Sequence, residues 1–483
     1  MDNLHLPSAP GSSIMKHLQQ ALGADRERRG KHKMSIQDEI SGLAGPSYRH
    51  GKAIARHIFH EVLAEIDLRK RMLDKLNRVE DTLYAGETSI SLTWPPHVIA
   101  IGKAAGRMAA TLHEILGGRI ASGIVVAPVL PASRLQNFRY FEAGHPYPNA
   151  DSIAAAEAAI ELVSALGPSE LAIFLISGGG SALFEKPLDP KVTLKDLMEF
   201  NRVLVTCGLP IEQINVLRKH VSAVKGGRLA EAAHPARQLT LYVSDVPADL
   251  PSMVASGPTM PDNSTLDECY RLAEENKLVP RLPQPIRKHF KGHTLKETPK
   301  PGDACFRSSE YVCLLSNHEA VEVATNGLDR QGFICEIDCG EWDADYREVA
   351  DRNLEALDAL AEKHPGKPVA LIVGGEVTCE VTGSGMGGRN QAFVLYAAGK
   401  IEHENRVVLS AGTDGRDGNS PSSGAVADGQ TISRARARGL DAGRYLAESD
   451  SYYFFRTLGD TLDTGYTGNN VRDVRLWLDF GDL

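Results

Sequence analysis

The segment HVIAIGKAAGRMAATLHEIL, residues 97–116, joins a continuous apolar run to a glycine turn and then to apolar residues at helical spacing. An apolar run without polar alternation reads as a strand buried on both faces, and the turn leads directly into a covering helix. The device recurs. GIVVAP (123–128), LAIFLISGGGSALF (171–184) and QLTLYVSDVP (238–247) are strands of the same type, two of them ending in polar or glycine-rich turns. Further along, YVCLLSN (311–317), a helix at 318–330, GFICEID (332–338) and a helix around 344–363 resume the alternation. PVALIVGGEVTCEVTG (368–383) reads as a strand, a turn and a second strand, and NRVVLSAGTDGRDG (405–418) as a strand and a glycine-rich loop. Repeated strand–loop–helix units predict an α/β fold with mostly parallel sheets.

Residues 281–307 are rich in Pro, Lys and Gly and lack periodicity, which marks a boundary. The expected organisation is an N-terminal extension over 1–45, a first α/β unit over 46–290 and a second over 305–483, with a cleft between them. Tyr48 to about Leu76 reads as helical.

The 483 residues suffice for two or three domains, each with its own core. A net charge of −9 argues against nucleic-acid and anionic-membrane partners. The seven scattered cysteines include no CxxC and read as reduced thiols. No apolar run of about 18 residues suggests a transmembrane helix, so the expectation is a cytoplasmic protein.

In open α/β sheets, ligands bind beyond the carboxyl ends of strands. The strand-end loops here each carry a candidate group. SGGGSAL offers Ser177, Gly178, Gly179, Gly180 and Ser181 as an anion cradle near a helix start. Lys103 follows a buried strand and a glycine, a placement that suits a lysine reaching an anion. NVLRKHVSAVKGGRLA (215–230) supplies Asn215, Arg218, Lys219 and Lys225 as basic or polar ligand contacts, with Gly226–Gly227 ending its helix. The alternative for this stretch is a solvated basic face. Asp245, Glu376 and Asp414 are strand-end carboxylates suited to magnesium beside phosphates, with Asp417 close by. His145 is a candidate for substrate contact. In GSGMGGRNQ (383–391), Arg389 offers a bidentate fork for a carboxylate or phosphate, and Asn390 caps the helix that follows.

Taken together and in order, GKAAGRM, AGHPYPNADS, ISGGGSAL, NVLRKHVSAVKGGRLA, SDVPADLPSMVASGPTMPD, GGEVTCEVTGSGMGGRNQ, AGTDGRDG and TGYTGNNVRDV resemble the glycerate 2-kinase family with a MOFRL C-terminal domain. The resemblance runs from about residue 50 to the C-terminus. It implies a Rossmann-like α/β/α sandwich followed by a smaller MOFRL-type α/β domain, with the active site in the cleft. It also implies transfer of a phosphoryl group from ATP to (R)-glycerate, giving 2-phosphoglycerate, with Mg2+. Lys103 and Arg389 match the family's proposed catalytic or substrate-orienting pair. The chain departs from the family pattern at Glu142–Ala143, Pro148–Asn149, Ala248–Asp249 and Ala392. Expected partners are glycerate and ATP, with no nucleic acid and no membrane, and a homodimer is compatible with the sequence. Members of the family also carry the name hydroxypyruvate reductase, which would need NAD(P)H. No dinucleotide fingerprint with its downstream ribose-binding acid is evident. The remaining alternative is a non-catalytic sugar-acid or nucleotide-binding protein.

Overall fold

The computed structural model describes residues 48–246, 250–338 and 344–481. The expected extension (1–45), Ala248–Asp249 and Cys339 lie outside the described residues.

The segment read as one helix from Tyr48 to Leu76 is two helices, Gly51–Glu65 and Leu68–Lys75, because Asp67 caps the second through the Lys70 amide. A three-stranded antiparallel meander follows: β1 Leu76–Val79, β2 Thr82–Ala85 and β3 Thr88–Ser91.

The first main sheet contains β4 His97–Ile101, β5 Ser122–Ala127, β6 Phe138–Glu142, β7 Leu171–Ile176, β8 Arg237–Val243 and β9 Ser309–Leu315, in spatial order β6-β5-β4-β7-β8-β9. Every pairing is parallel. This is the doubly wound order, in which the chain reverses direction of growth between β4 and β7. All six residues of β7 are buried, as a strand covered on both faces requires.

The second sheet contains β10 Ile334–Asp338, β11 Val369–Val373, β12 Arg406–Gly412, β13 Gly424–Asp428 and β14 Asp473–Asp479, in order β10-β11-β14-β12-β13. Only β10 and β11 pair in parallel; β14 runs antiparallel to both neighbours. The expectation of mostly parallel sheets thus holds for the first sheet and fails for the second. A C-terminal strand inserted at its centre reverses the ladder. Trp477 of β14 is fully buried and meets Phe393 edge-on at 5.8 Å. The second strand expected within 368–383 does not form: Thr378 makes only an isolated bridge to Asp345.

The sheets do not part at 291–304. β9, which follows that stretch, hydrogen-bonds along β8. The 51–65 helix, near the chain's beginning, lies on the second sheet, with Gly51 against Val407 and Phe480 and with Lys52 3.0 Å from Asp460. One apolar core accordingly runs from Ile54 and Val98 through Leu241 to Leu409 and Leu476. Among the described residues no helix is long and apolar enough to cross a membrane.

Candidate active site

The switch point between β4 and β7 brings the GKAAG and SGGG loops together. Lys103 N donates to Gly178 O at 3.0 Å, and Ala104 N donates to Ser177 Oγ at 3.1 Å. Gly102 has φ +120°, and a Cβ there would collide with Ser177, so the two loops touch only because residue 102 is glycine. Ser177 is buried and also donates to Ile101 O, so its hydroxyl clamps the loops and is not directed at a ligand. These two amides, just ahead of the 105–115 helix, are thereby consumed within the protein.

The Lys103 side chain is exposed and folds over Gly179, as does the His145 ring. Desolvation and the Lys103 charge hold the His145 imidazole below its ordinary pKa, so it is neutral at pH 7. Asp245 lies against Gly178, at the end of β8. Gly180 lies under Ala255, which with Ser256 holds a left-handed backbone at φ +51° and +60°. Two such non-glycine residues store roughly 1–3 kcal/mol each. Ser181 Oγ lies 2.8 Å from Ser256 Oγ, which donates to Asn215 Oδ1 at 3.1 Å. Ser256 belongs to a motif visible in the sequence, but its position under the glycine loop was not.

The second sheet presents its own strand ends to this point. Lys103 and Asp414 line the same small cavity, of about 60 Å³, together with Ser177, Gly178, Tyr466 and Asn469. Burial and the nearby Asp473 raise the Asp414 carboxyl pKa, and burial raises that of Asp245, while Lys103 opposes both shifts. Arg472, at φ +70°, donates through Nε to the Asp245 carbonyl and pairs with Glu376, tying the two sheets together. Arg107 makes a second tie, to Gly468 O at 3.1 Å. Arg472 and Asp473 lie in the TGYTGNNVRDV stretch, where sequence reading singled out no residue.

Arg389 departs from expectation. Its fork faces a protein carboxylate: Nε and Nη2 donate to the two Asp473 oxygens at 2.7 and 2.9 Å, and Nη1 lies 2.5 Å from Glu376. Asp473 is fully buried, and the Arg389 guanidinium holds its carboxyl below the ordinary range despite desolvation. Glu376 is thus held between two arginines. Asn390 is fully buried, with Nδ2 directed at Asp417 and Oδ1 accepting from Ser410. Asp417, and not Asn390, caps the 389–400 helix, accepting from the Asn390 and Gln391 amides at 3.0 and 2.8 Å.

Full burial pushes the Asp417 carboxyl up to about 7, against those two amides. A carboxyl that keeps its proton longer in the folded state than in the unfolded one, where 3.8 applies, makes unfolding release a proton between those values. Its contribution to stability therefore falls as pH rises from about 4 to about 7 and is level above. Asp417→Asn should remove that slope from urea-derived stabilities measured across the same window. An unchanged slope would contradict the assignment.

The basic run after Asn215 is corrected most. Its helix ends at Val221, with Ser222 already extended, so Gly226–Gly227 belong to the entry of the next short helix. Lys219 is buried and paired with Asp262 at 3.0 Å; Lys225 is buried against Glu185 and Phe184 O. Arg218 donates to Asn201 Oδ1 at 3.2 Å. These cations hold the protein together instead of facing a ligand. Lys219→Met should cost about 3–5 kcal/mol by stranding the buried Asp262, with the substrate KM of the folded fraction unchanged; a selective KM change would restore a ligand role. Asn149, at a departure from the family pattern, builds a capping box with Ser152 on the 150–164 helix.

Fold and cleft together define an α/β protein in which strand-end loops of two sheets converge. A family model described as a domain of unknown function, DUF4147, matches residues 54–291, and the MOFRL family model matches 369–473. D-glycerate 2-kinase of Thermotoga maritima is 38% identical over 386 residues, 79% of this chain and 90% of that protein. An Agrobacterium vitis protein with a provisional hydroxypyruvate reductase name is 37% identical over 390 residues, 78% of this chain and 86% of its own length. The crystal structure of glycerate kinase from Thermotoga maritima superposes with a TM-score of 0.76 at 34% identity, covering 89% of this chain and 99% of that one. The chain belongs to the glycerate 2-kinase family.

Proposed function

We propose that the protein transfers the γ-phosphoryl group of ATP to the 2-hydroxyl of (R)-glycerate, giving 2-phosphoglycerate and ADP. The observation that carries this reading is the exposed Lys103 at the β4/β7 switch point, facing Asp414 across the cleft. The glycerate hydroxyl oxygen forms a bond to the γ-phosphorus, the bond to the β–γ bridging oxygen breaks, and the hydroxyl proton passes to solvent. Such a transfer depends on positioning and charge stabilisation more than on a strong base. Lys103 neutralises charge on the transferring group. Neutral His145, beside it, can donate one hydrogen bond and accept another at the substrate.

ATP enters as its magnesium complex, the metal neutralising phosphate charge. Among the described residues no three metal-ligating side chains converge. That fits an ion held mainly by phosphates and water with one or two carboxylates. Asp414 and Asp245, whose charged forms are disfavoured by burial, would hold it. Arg389 is engaged by Asp473 and Glu376, so it sets the charge of the cleft first, and a substrate oxygen would take the guanidinium N–H groups left over.

The hydroxypyruvate reductase reading draws on the dinucleotide-type strand order. Against it, the Lys103 and Ala104 amides of the glycine turn ahead of the 105–115 helix, which would face a pyrophosphate, are bonded to Gly178 and Ser177. Incubation with ATP and (R)-glycerate, followed by phosphorus NMR, should yield 2-phosphoglycerate. NADH oxidation with hydroxypyruvate and no such product would replace this function by the reductase, and ligand-induced stabilisation without turnover would leave only a binding protein.

A further inference from the structure

A larger cavity, of about 520 Å³, is lined by residues of the second unit alone, against the start of the 389–400 helix. Its walls include Tyr346, Val377, Cys379, Ala392, Tyr445 and Leu446, and Glu376 and Arg389 stand in its lining. The two cavities are joined by one chain of charges: Glu376 meets Arg389, Arg389 meets Asp473, and Asp473 acts on Asp414 in the small cavity. Arg472 links Glu376 onward to Asp245.

We infer that the large cavity receives the nucleoside end of ATP, and that the phosphates run from Arg389 toward Lys103. The inference rests on the kinase reading. Phosphoryl transfer needs one small and one large ligand, and this chain of charges joins one small and one large space. A cavity of this size falls within the roughly 300–1,000 Å³ typical of cofactor sites, several times more than a three-carbon acid fills. Tyr346, Val377, Tyr445 and Leu446 offer apolar and aromatic surface for a purine ring, and Thr378, Thr382, Asn419 and Ser449 stand among them as hydrogen-bonding groups for its edge and the ribose.

The orientation follows from Asp417. The glycine-rich segment ahead of Arg389 looks like a phosphate loop, but the Asn390 and Gln391 amides at that helix start are held by the Asp417 carboxylate. A phosphate placed there would displace a buried cap. The cavity therefore suits the uncharged end of the nucleotide, and the triphosphate lies where the cations are.

Cys379 is a free, partly buried thiol in the cavity wall and serves as a reporter. Site-resolved alkylation of the wild-type protein, read by mass spectrometry, should slow at Cys379 by roughly tenfold or more under saturating ADP. Glycerate alone should leave the rate unchanged, and Cys207 and Cys335 serve as internal controls. Ala392→Trp, which fills the cavity, should raise the ATP KM by about tenfold or more, equivalent to about 1.4 kcal/mol, with the glycerate KM unmoved. Should that variant not fold, the alkylation experiment decides. Undiminished Cys379 alkylation under ADP, in a protein that does phosphorylate glycerate, overturns the pocket and spares the function. If turnover is absent the function falls, and protection by ADP still decides the pocket.

Discussion

Lys103→Ala is expected to lower kcat by roughly 10²-fold or more while leaving the folding stability close to that of the wild type. The side chain is exposed and, among the described residues, enters no ion pair, so its removal strands no partner. Its Cγ and Cε pack over Gly179 at the point where the two loops meet, and its ammonium opens into the cavity shared with Asp414. A cation fixed there before the reaction stabilises developing charge without reorganising. Lys103→Arg should recover only part of the rate, since a planar fork does not reproduce a point charge. Steady-state kinetics and urea titration on the same preparations test both halves. An alanine variant with unchanged kcat would remove Lys103 from the mechanism.

For Arg389→Ala the expected outcome combines two losses of different origin. The first is structural. Asp473 is fully buried at the start of the central strand β14, and Arg389 supplies both of its short bonds. Removing one partner of a buried pair costs about 3–5 kcal/mol because the other charge is left without compensation. Arg475 lies 3.7 Å from the same carboxylate and limits the damage without matching the fork. The second loss is functional: Glu376 loses one of its two arginines, the cleft becomes more negative, and the glycerate KM rises along with a fall in kcat. The double variant Arg389→Ala/Asp473→Asn separates them, recovering much of the stability and little of the activity. Recovery of both would make Arg389 purely structural. A KM change confined to ATP would assign the arginine to the nucleotide alone.

The loops that carry chemistry were legible because buried strands announce their own ends. The runs at 97–101 and 171–176 are apolar throughout, and the glycine turns after them are where the cleft forms. Lys103, Gly178 and Asp414 follow from that rule alone. The basic run at 218–225 was misleading for a physical reason. A lysine on a solvated face and one paired with Asp262 or Glu185 in the interior look alike until the partner, distant in sequence, is known.

The amino-acid sequence by itself determined the alternating α/β character, the positions of the strand-end loops and the family, since apolar periodicity and glycine placement are local properties. The tertiary structure alone decided that β14 enters the middle of the second sheet, that β9 completes the first, and that Arg389 spends its fork on Asp473. It likewise decided that Asp417 closes the helix start behind GSGMGG. Each of these is a pairing between segments far apart in the chain. Burial settles which charges must find partners, and only the folded core brings those partners within reach.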